Sequence, residues 1–157
     1  SWGEEVHTAV EEWNAIVDGF YAADDPRGLS QTRALGEINA FMKAGDIAVG
    51  SAGSLPGDMQ RLFRPGNRDT YHMEYGFSNM GYETNGALGV KLAAPAAEVY
   101  TFFGDGTYLM AHSELLTCVQ ERVRVHFYRS SGIMGMRLWP MALNGKVKSC
   151  RIRLILS

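Results

Sequence analysis

Apolar residues recur every three or four positions over two stretches at the start of the chain. In residues 4–21 the recurring positions are Val6, Val10, Trp13, Ile16, Val17 and Phe20. The second stretch follows Ser30, a residue type that favours the N-cap of a helix, and contains Ala34, Leu35, Ile38, Phe41 and Met42. Because this spacing places apolar side chains on one face of a helix, we predict two amphipathic helices, the second ending at Gly45.

Short apolar runs alternate with helical patterns through the middle of the chain. The runs at 46–49, 98–103 and 123–127 have the length of buried strands. Helical patterns follow the glycine-rich turn after Gly76 and cover 109–122, whereas 50–58 and 59–75 are predicted to be a small-residue loop and an irregular segment. Strands that alternate with helices indicate an α/β fold, with a parallel sheet between two helical layers (α/β/α).

Composition excludes several classes of protein. The 157 residues fit one domain, and a net charge of −2 argues against nucleic acid as the main partner. No apolar stretch has the length of a membrane span. Cys118 and Cys150 show neither metal-ligand spacing nor a disulfide framework, which favours a reducing, cytoplasmic setting. The chain lacks an initiator Met and opens inside a predicted helix, so we expect it to be a fragment of a longer protein.

The tripeptide Gly104-Asp105-Gly106 directly follows the apolar run 98–103. Parallel strands end at a common edge, where open α/β sheets bind their ligands. A carboxylate beside glycines at that edge suits a divalent cation that bridges to phosphate oxygens. The tripeptide alone is weak evidence, because most Asp-Gly turns bind nothing.

Residues 52–58, 71–83 and 104–115 together resemble the thiamine-diphosphate-dependent enzymes. They carry the strings Ser-Leu-Pro-Gly-Asp, Tyr-His-Met-Glu-Tyr-Gly, Gly-x-x-x-Met-Gly and Gly-Asp-Gly. The resemblance covers roughly Trp13 to Phe127, in the order of the family's C-terminal, diphosphate-binding domain. It is closest to the branch of C–C bond hydrolases that open a small polyhydroxylated cyclic 1,2-diketone in inositol catabolism. The implied cofactors are thiamine diphosphate and Mg²⁺.

The resemblance also implies roles for the residues at the ends of the predicted strands. Asp105 would be a Mg²⁺ ligand, and the cofactor-binding residues around it would be Gly104, Gly106 and Thr107, with backbone N–H groups facing phosphate oxygens. The loop after the first strand would be a second diphosphate contact, through Gly53 and Ser54.

Four residues of the segment 71–83 would lie nearer the reacting end of the cofactor. Met80 matches the bulky residue that wedges between the cofactor's two rings, although Met also fills ordinary cores. The carbonyl of Ser78, where relatives often carry Gly, would accept a hydrogen bond from the cofactor's amino group. His72 and Glu74 are candidates for contact with the substrate, or for packing at an interface.

The end of the chain departs from the family. The family has an Asn metal ligand after the strand that follows Gly-Asp-Gly, and no Asn or Asp stands there, so Ser130 or Ser131 would offer only a hydroxyl. Codons read two bases out of frame across 132–138 permit Asn-His-Gly-Tyr-Ala-Ser, close to the missing string. We therefore divide the chain into a helix and linker (1–28), a partial thiamine-diphosphate-binding domain (29–127) and an anomalous tail (128–157), which is either frameshifted or truly divergent.

The resemblance implies partners as well. In these enzymes a glutamate on the pyrimidine-binding domain of a partner subunit activates the cofactor, so a homo-oligomeric parent is expected. Two alternatives stay open beside the hydrolase. One is a carboligase or decarboxylase similar to acetolactate synthase, and the other is a catalytically dead remnant that serves as an interaction module.

Overall fold

The computed structural model describes residues 1–26, 28–51 and 53–130, together with the short strand Met136–Arg137. Four parallel strands and one antiparallel strand form a sheet with the order β2-β1-β3-β4-β5. The strands are β1 (Ile47–Gly50), β2 (Tyr71–Met73), β3 (Val99–Gly104), β4 (His126–Ser130) and β5 (Met136–Arg137). The helices are α1 (Trp2–Ala22), α2 (Gln31–Phe41), α3 (Ser54–Leu62), α4 (Tyr82–Ala93), α5 (Asp105–Ala111) and α6 (Glu114–Gln120).

Two apolar clusters cover opposite faces of the sheet, which confirms the three-layer prediction. Along β3, Tyr100 and Phe102 join the cluster on the α2 and α3 side, whereas Val99 and Phe103 join the cluster on the α4 and α6 side. Successive side chains of a strand point to opposite faces, so one continuous apolar run supplies both clusters. Phe102 is fully buried at the centre of this arrangement.

Two segments predicted to be irregular contain a helix and a strand in the structure. The loop 50–58 and the segment 59–75 contain α3 and β2. Leu55, Met59 and Leu62 are buried and lie on one face of α3. Pro56 belongs to the first turn of this helix, where no backbone N–H is needed. Turn-forming residues within the helix, among them Ser54 and Gly57, hid this pattern in the sequence.

The elements on either side of α6 also differ from the prediction. The helix expected over 109–122 is two short helices, because i→i−3 bonds interrupt it: Leu115 N donates to His112 O (3.1 Å) and Leu116 N to Ser113 O (2.9 Å). The strand expected over 123–127 begins at His126, after a left-handed turn at Arg122 (φ 55°). It continues through Ser130, so residues 128–130 of the segment assigned to the tail belong to the sheet.

The second helix is shorter than predicted. It ends at Phe41, where Met42 has extended φ and ψ angles, and not at Gly45. Phe41 was predicted to lie on the buried apolar face of this helix, but its side chain is 58% exposed. The predicted N-cap is confirmed, because the hydroxyl of Ser30 accepts a hydrogen bond from Arg33 N (3.2 Å). The rest of the tail, apart from Met136–Arg137, lies outside the described residues.

Helix α1 packs on the domain through one narrow side. Val17 is its buried residue, Trp13 Nε1 donates to Arg61 O (2.9 Å), and Arg64 bonds to Asp18 (2.8 Å) and to Asn14 O (2.7 Å). Other large apolar side chains of the helix, here called the outer stripe, are 42–79% exposed, including Trp13, which also contacts the domain: Trp2, Val6, Val10, Trp13, Ile16 and Phe20. Within the described ranges no helix is both long and apolar enough to cross a membrane.

Candidate functional site

The four parallel strands end together at one edge of the sheet, here called the carboxyl edge. Gly50 at the end of β1 pairs with Met73 at the end of β2, and Gly104 at the end of β3 pairs with Ser130 at the end of β4. The predicted cofactor residues follow these strand ends. The structure therefore brings the chain segments after β1, β2 and β3 to one edge and places the backbone of Ser130 beside Gly104.

Asp105 is the first residue of α5, and its side chain is exposed at the carboxyl edge. Its Oδ1 accepts a hydrogen bond from the backbone N–H of Gly106 (3.0 Å). In the part of the chain that the structure describes, no group of three or more His, Cys, Asp and Glu side chains is arranged to hold a metal ion. Mg²⁺ often binds through one or two carboxylates plus phosphate oxygens and water, so one Asp beside a diphosphate fits that ion.

Three glycines leave the backbone open at this edge. A methyl group built on Gly53, Gly104 or Gly106 would meet no atom within 4 Å. A ligand can therefore reach the backbone here, as diphosphate binding requires. Ser54, the first residue of α3, is exposed, whereas Thr107 is buried at 3% exposure, so its side chain packs within the domain.

Met80 stands on the turn that leads into α4, and about half of its side chain is exposed (49%). The next residue, Gly81, has a left-handed backbone (φ 101°), and a Cβ there would lie 3.1 Å from the Cβ of Ala111 on α5. The carboxylate of buried Glu83 accepts a hydrogen bond from Gly81 N (3.1 Å). The turn thus packs against α5, the helix that begins with Asp105.

The carboxylate of Glu74 bonds to the backbone of its own loop. Oε1 accepts from Phe77 N and Oε2 from Asn79 N, both at 2.8 Å. These bonds from Phe77 and Asn79 hold the pKa of Glu74 below its usual value. Ser78 lies between the two donors, with a left-handed backbone (φ 53°). Both carboxylate oxygens of Glu74 are therefore occupied by backbone N–H groups. A direct contact of Glu74 with substrate stays a prediction, which these bonds do not support.

Sequence reasoning missed the part that Ser51 plays in this loop. Ser51 is buried at 1% exposure directly after β1, and its Oγ lies 2.9 Å from Asn79 O and 3.3 Å from Glu74 O. A small polar residue directly after a buried strand was the available signal. The hydroxyl joins the end of β1 to the loop that carries Ser78 and Met80.

The structure does not bring the imidazole of His72 to the other predicted residues. His72 lies in the middle of β2, and its Nε2 is 3.0 Å from the carbonyl oxygen of Asp69, which precedes the strand. The ring is therefore directed back along β2, away from the carboxyl edge. Contact between His72 and a substrate is a prediction that this arrangement does not support.

The comparison with known families agrees with this geometry. Residues 51–138 match the family model described as "Thiamine pyrophosphate enzyme, C-terminal TPP binding domain". The chain belongs to this family. The match includes the chain segments after β1, β2 and β3 that meet at the carboxyl edge. The sequence-based assignment to thiamine-diphosphate-dependent enzymes is thereby confirmed.

Similar proteins with a named activity are also known. A 3D-(3,5/4)-trihydroxycyclohexane-1,2-dione hydrolase of Bacillus thuringiensis (strain Al Hakam) is 53% identical over 106 residues, which is 66% of this chain and 16% of that protein. One of Clostridium tetani (strain Massachusetts / E88) is 49% identical over 111 residues, 71% of this chain and 17% of that protein. The chain therefore spans about a sixth of the length of these relatives.

Proposed function

We propose that this chain forms the diphosphate- and Mg²⁺-binding half of the active site of a thiamine-diphosphate-dependent C–C bond hydrolase. The observation that carries the proposal is the exposed Asp105 directly after β3, on the same edge of the sheet as the loop that carries Met80. The substrate would be a small polyhydroxylated cyclic 1,2-diketone of inositol catabolism, in line with the printed names of both relatives.

The residues at the carboxyl edge fit the cofactor's diphosphate end. Asp105 would hold Mg²⁺ through a carboxylate oxygen, and the backbone of Gly104, Gly106 and Thr107 would face the phosphate oxygens. Gly53 and Ser54 would bind the diphosphate from the side of β1. Ser130, whose backbone pairs with Gly104, would be a further Mg²⁺ ligand.

The loop after β2 would serve the other end of the cofactor. Thiamine diphosphate supplies the carbanion chemistry that acts on a carbonyl carbon, and the protein supplies position and electrostatics. The carbonyl of Ser78 would accept a hydrogen bond from the cofactor's amino group, and Met80 would hold the two rings in a bent arrangement. These two residues orient the reacting group and transfer no proton themselves.

A partner subunit would complete the site. Apolar side chains are exposed near the carboxyl edge, including Phe77 (88%), Leu109 (68%) and Met110 (63%). Exposed large apolar side chains beside a ligand site are typical of an interface. We propose that the pyrimidine-binding domain of a partner subunit covers this surface in a cytoplasmic homo-oligomer.

A chimera tests the proposal. Residues 13–127 replace the corresponding segment of the Bacillus thuringiensis hydrolase, which supplies the remainder of the site. We expect Mg²⁺-dependent opening of the cyclic dione, and a loss of at least about 100-fold in kcat/KM on Asp105→Ala. The matched control, Glu121→Ala, removes an exposed carboxylate at the end of α6 and should leave activity unchanged.

Two outcomes would overturn the proposal. A folded chimera without activity or cofactor binding would favour the catalytically dead remnant. Full activity of Asp105→Ala, with unchanged Mg²⁺ dependence, would show that Asp105 is not the metal ligand.

A further inference from the structure

We propose that Glu74 is a positioning residue, whose carboxylate binds the backbone of its own loop and thereby holds Ser78 and Met80 in place for the cofactor. This inference rests on the proposed function where it concerns the cofactor. The hydrogen bonds that support it join residues of this chain and do not involve the cofactor.

The loop 74–79 is arranged as an anion-binding nest. The N–H groups of Phe77 and Asn79 both point at the Glu74 carboxylate, at 2.8 Å each, and Ser78 between them has a left-handed backbone. A left-handed residue within a turn makes neighbouring N–H groups converge on one anion. In this loop the bound anion is the Glu74 carboxylate of the same segment. The N–H groups are therefore paired without an external ligand.

Asn79 is fixed through both of its backbone groups. Its N–H donates to Glu74, and its carbonyl oxygen accepts from the buried hydroxyl of Ser51 at 2.9 Å. Asn79 directly precedes Met80. The peptide that carries the proposed wedge is therefore tied to the end of β1 on one side and to the Glu74 carboxylate on the other.

The arrangement also explains how a serine occupies position 78. A non-glycine residue with a positive φ is strained, and it persists where its surroundings fix the backbone. The two hydrogen bonds to Glu74 flank Ser78 directly. They fix the peptide whose carbonyl we assign to the cofactor.

This role differs from that of an acid or base. Both oxygens of Glu74 accept backbone N–H groups, and the same hydrogen bonds keep the carboxyl group ionised. A group held in this way is a poor proton donor. Glu74 is thus assigned to the loop that contacts the cofactor and not to the substrate.

The first test measures amide hydrogen exchange in the 157-residue chain, without cofactor. Glu74→Gln keeps one acceptor oxygen and loses the other, so we expect exchange at Phe77 or Asn79 to become about tenfold faster. The matched control Glu121→Gln should leave both amides unchanged. Adding Ser78→Gly to Glu74→Gln should slow the exchange again in part, because glycine adopts a positive φ without strain.

The second test uses the active chimera. We expect Glu74→Gln to weaken thiamine diphosphate binding about tenfold, while the pH profile of kcat keeps its shape. Loss of one limb of that profile would identify Glu74 as an acid or base and overturn the inference. If Glu74→Gln leaves exchange at both amides unchanged, the inference is also overturned. The same holds if exchange becomes faster but the affinity of the chimera for the cofactor does not change. An unsubstituted chimera that binds no cofactor would instead count against the proposed function, whereas the exchange result would still stand.

Discussion

Glu74 and Glu98 lie at opposite ends of the sheet, and hydrogen bonds lower the pKa of both by different means. Glu98 directly precedes β3, at the end where the parallel strands begin, and its partners are the side chains of Arg124 and His126 (2.7 Å). Glu74 follows β2 at the carboxyl edge, and its partners are backbone N–H groups. Glu98 joins two strands, whereas Glu74 shapes one loop.

The same contrast holds for the surroundings of the two glutamates. At the end where the strands begin, Asn39 bonds through its side chain to both backbone groups of Arg64, at 2.7 and 2.8 Å, and Lys43 N donates to Asp46 (2.9 Å). At the carboxyl edge, the backbone at Gly53, Gly104 and Gly106 faces open space. Polar side chains at the first end are paired within the fold, whereas the backbone at these three glycines of the second end is accessible from outside.

The largest effect on stability is expected from Asn39→Ala. Its loss leaves the part-buried N–H and carbonyl groups of Arg64 without their partner. The Tyr21 hydroxyl, 3.2 Å from Asn39 Oδ1, keeps its hydrogen bond to Leu62 O. We expect the free energy of unfolding, measured with urea, to fall by about 2–3 kcal/mol. The matched control is Asn85→Ala on the exposed side of α4, which should change it by less than about 0.5 kcal/mol. If Asn39→Ala lowers the free energy of unfolding by as little as the control, the polar groups at the end where the strands begin do not stabilise the fold as the comparison of the two ends requires.

Glu98→Gln should have a smaller, pH-dependent effect. Burial raises the pKa of Glu98, but hydrogen bonds from His126 and Arg124 outweigh burial and lower it. Because the folded-state pKa is lowered, the ion pairs stabilise the protein at pH values above the usual pKa of Glu, about 4.3. This stabilisation is lost as the pH falls through the folded-state pKa of Glu98.

The corresponding measurement is urea unfolding of both proteins at two pH values. We expect Glu98→Gln to be about 1 kcal/mol less stable near pH 7 and about equal to the unsubstituted chain once the pH is below the folded-state pKa of Glu98. Cofactor binding by the chimera should not change. A pH-independent difference would mean that Glu98 acts through packing and not through its charge.

The smallest effect is expected from Ser78→Gly alone. Glycine relieves about 1 kcal/mol of left-handed strain, but it gives the unfolded chain more freedom, worth about 0.4–1 kcal/mol. The two terms nearly cancel, so the urea midpoint should hardly move. A clear loss of stability would show that the Ser78 side chain makes a stabilising contact of its own.

Sequence patterns predicted the architecture where burial is periodic. The buried run of β3 and the apolar spacing of α1, α2 and α4 are local signals, so their positions were predicted to within a few residues. Helix α3 was missed because Ser54, Pro56 and Gly57, residue types typical of turns, lie among the buried positions Leu55, Met59 and Leu62. The boundary of β4 depends on pairing with β3, which is a property of the folded chain.

The candidate site was predictable to a different extent. Gly-Asp-Gly marks the end of a strand in the sequence itself, and the structure places Asp105 at the expected edge. The partners of Glu74 could not be predicted, because they are backbone N–H groups that converge only when Ser78 adopts a left-handed conformation. The register of β1 and β2 also brings Ser51 to this loop from 28 residues away.

The outer stripe of α1 has a consequence for spectroscopy. The chain has three tryptophans, and Trp2 and Trp13 both lie on that stripe, 79% and 42% exposed. The third, Trp139, lies outside the described residues, and Trp139→Phe would leave α1 as the sole source of indole emission. In that variant the emission comes from Trp2, which is largely exposed, and from Trp13, which is partly exposed and bonded to Arg61 O. A shift to shorter wavelength is expected when a second surface covers the helix.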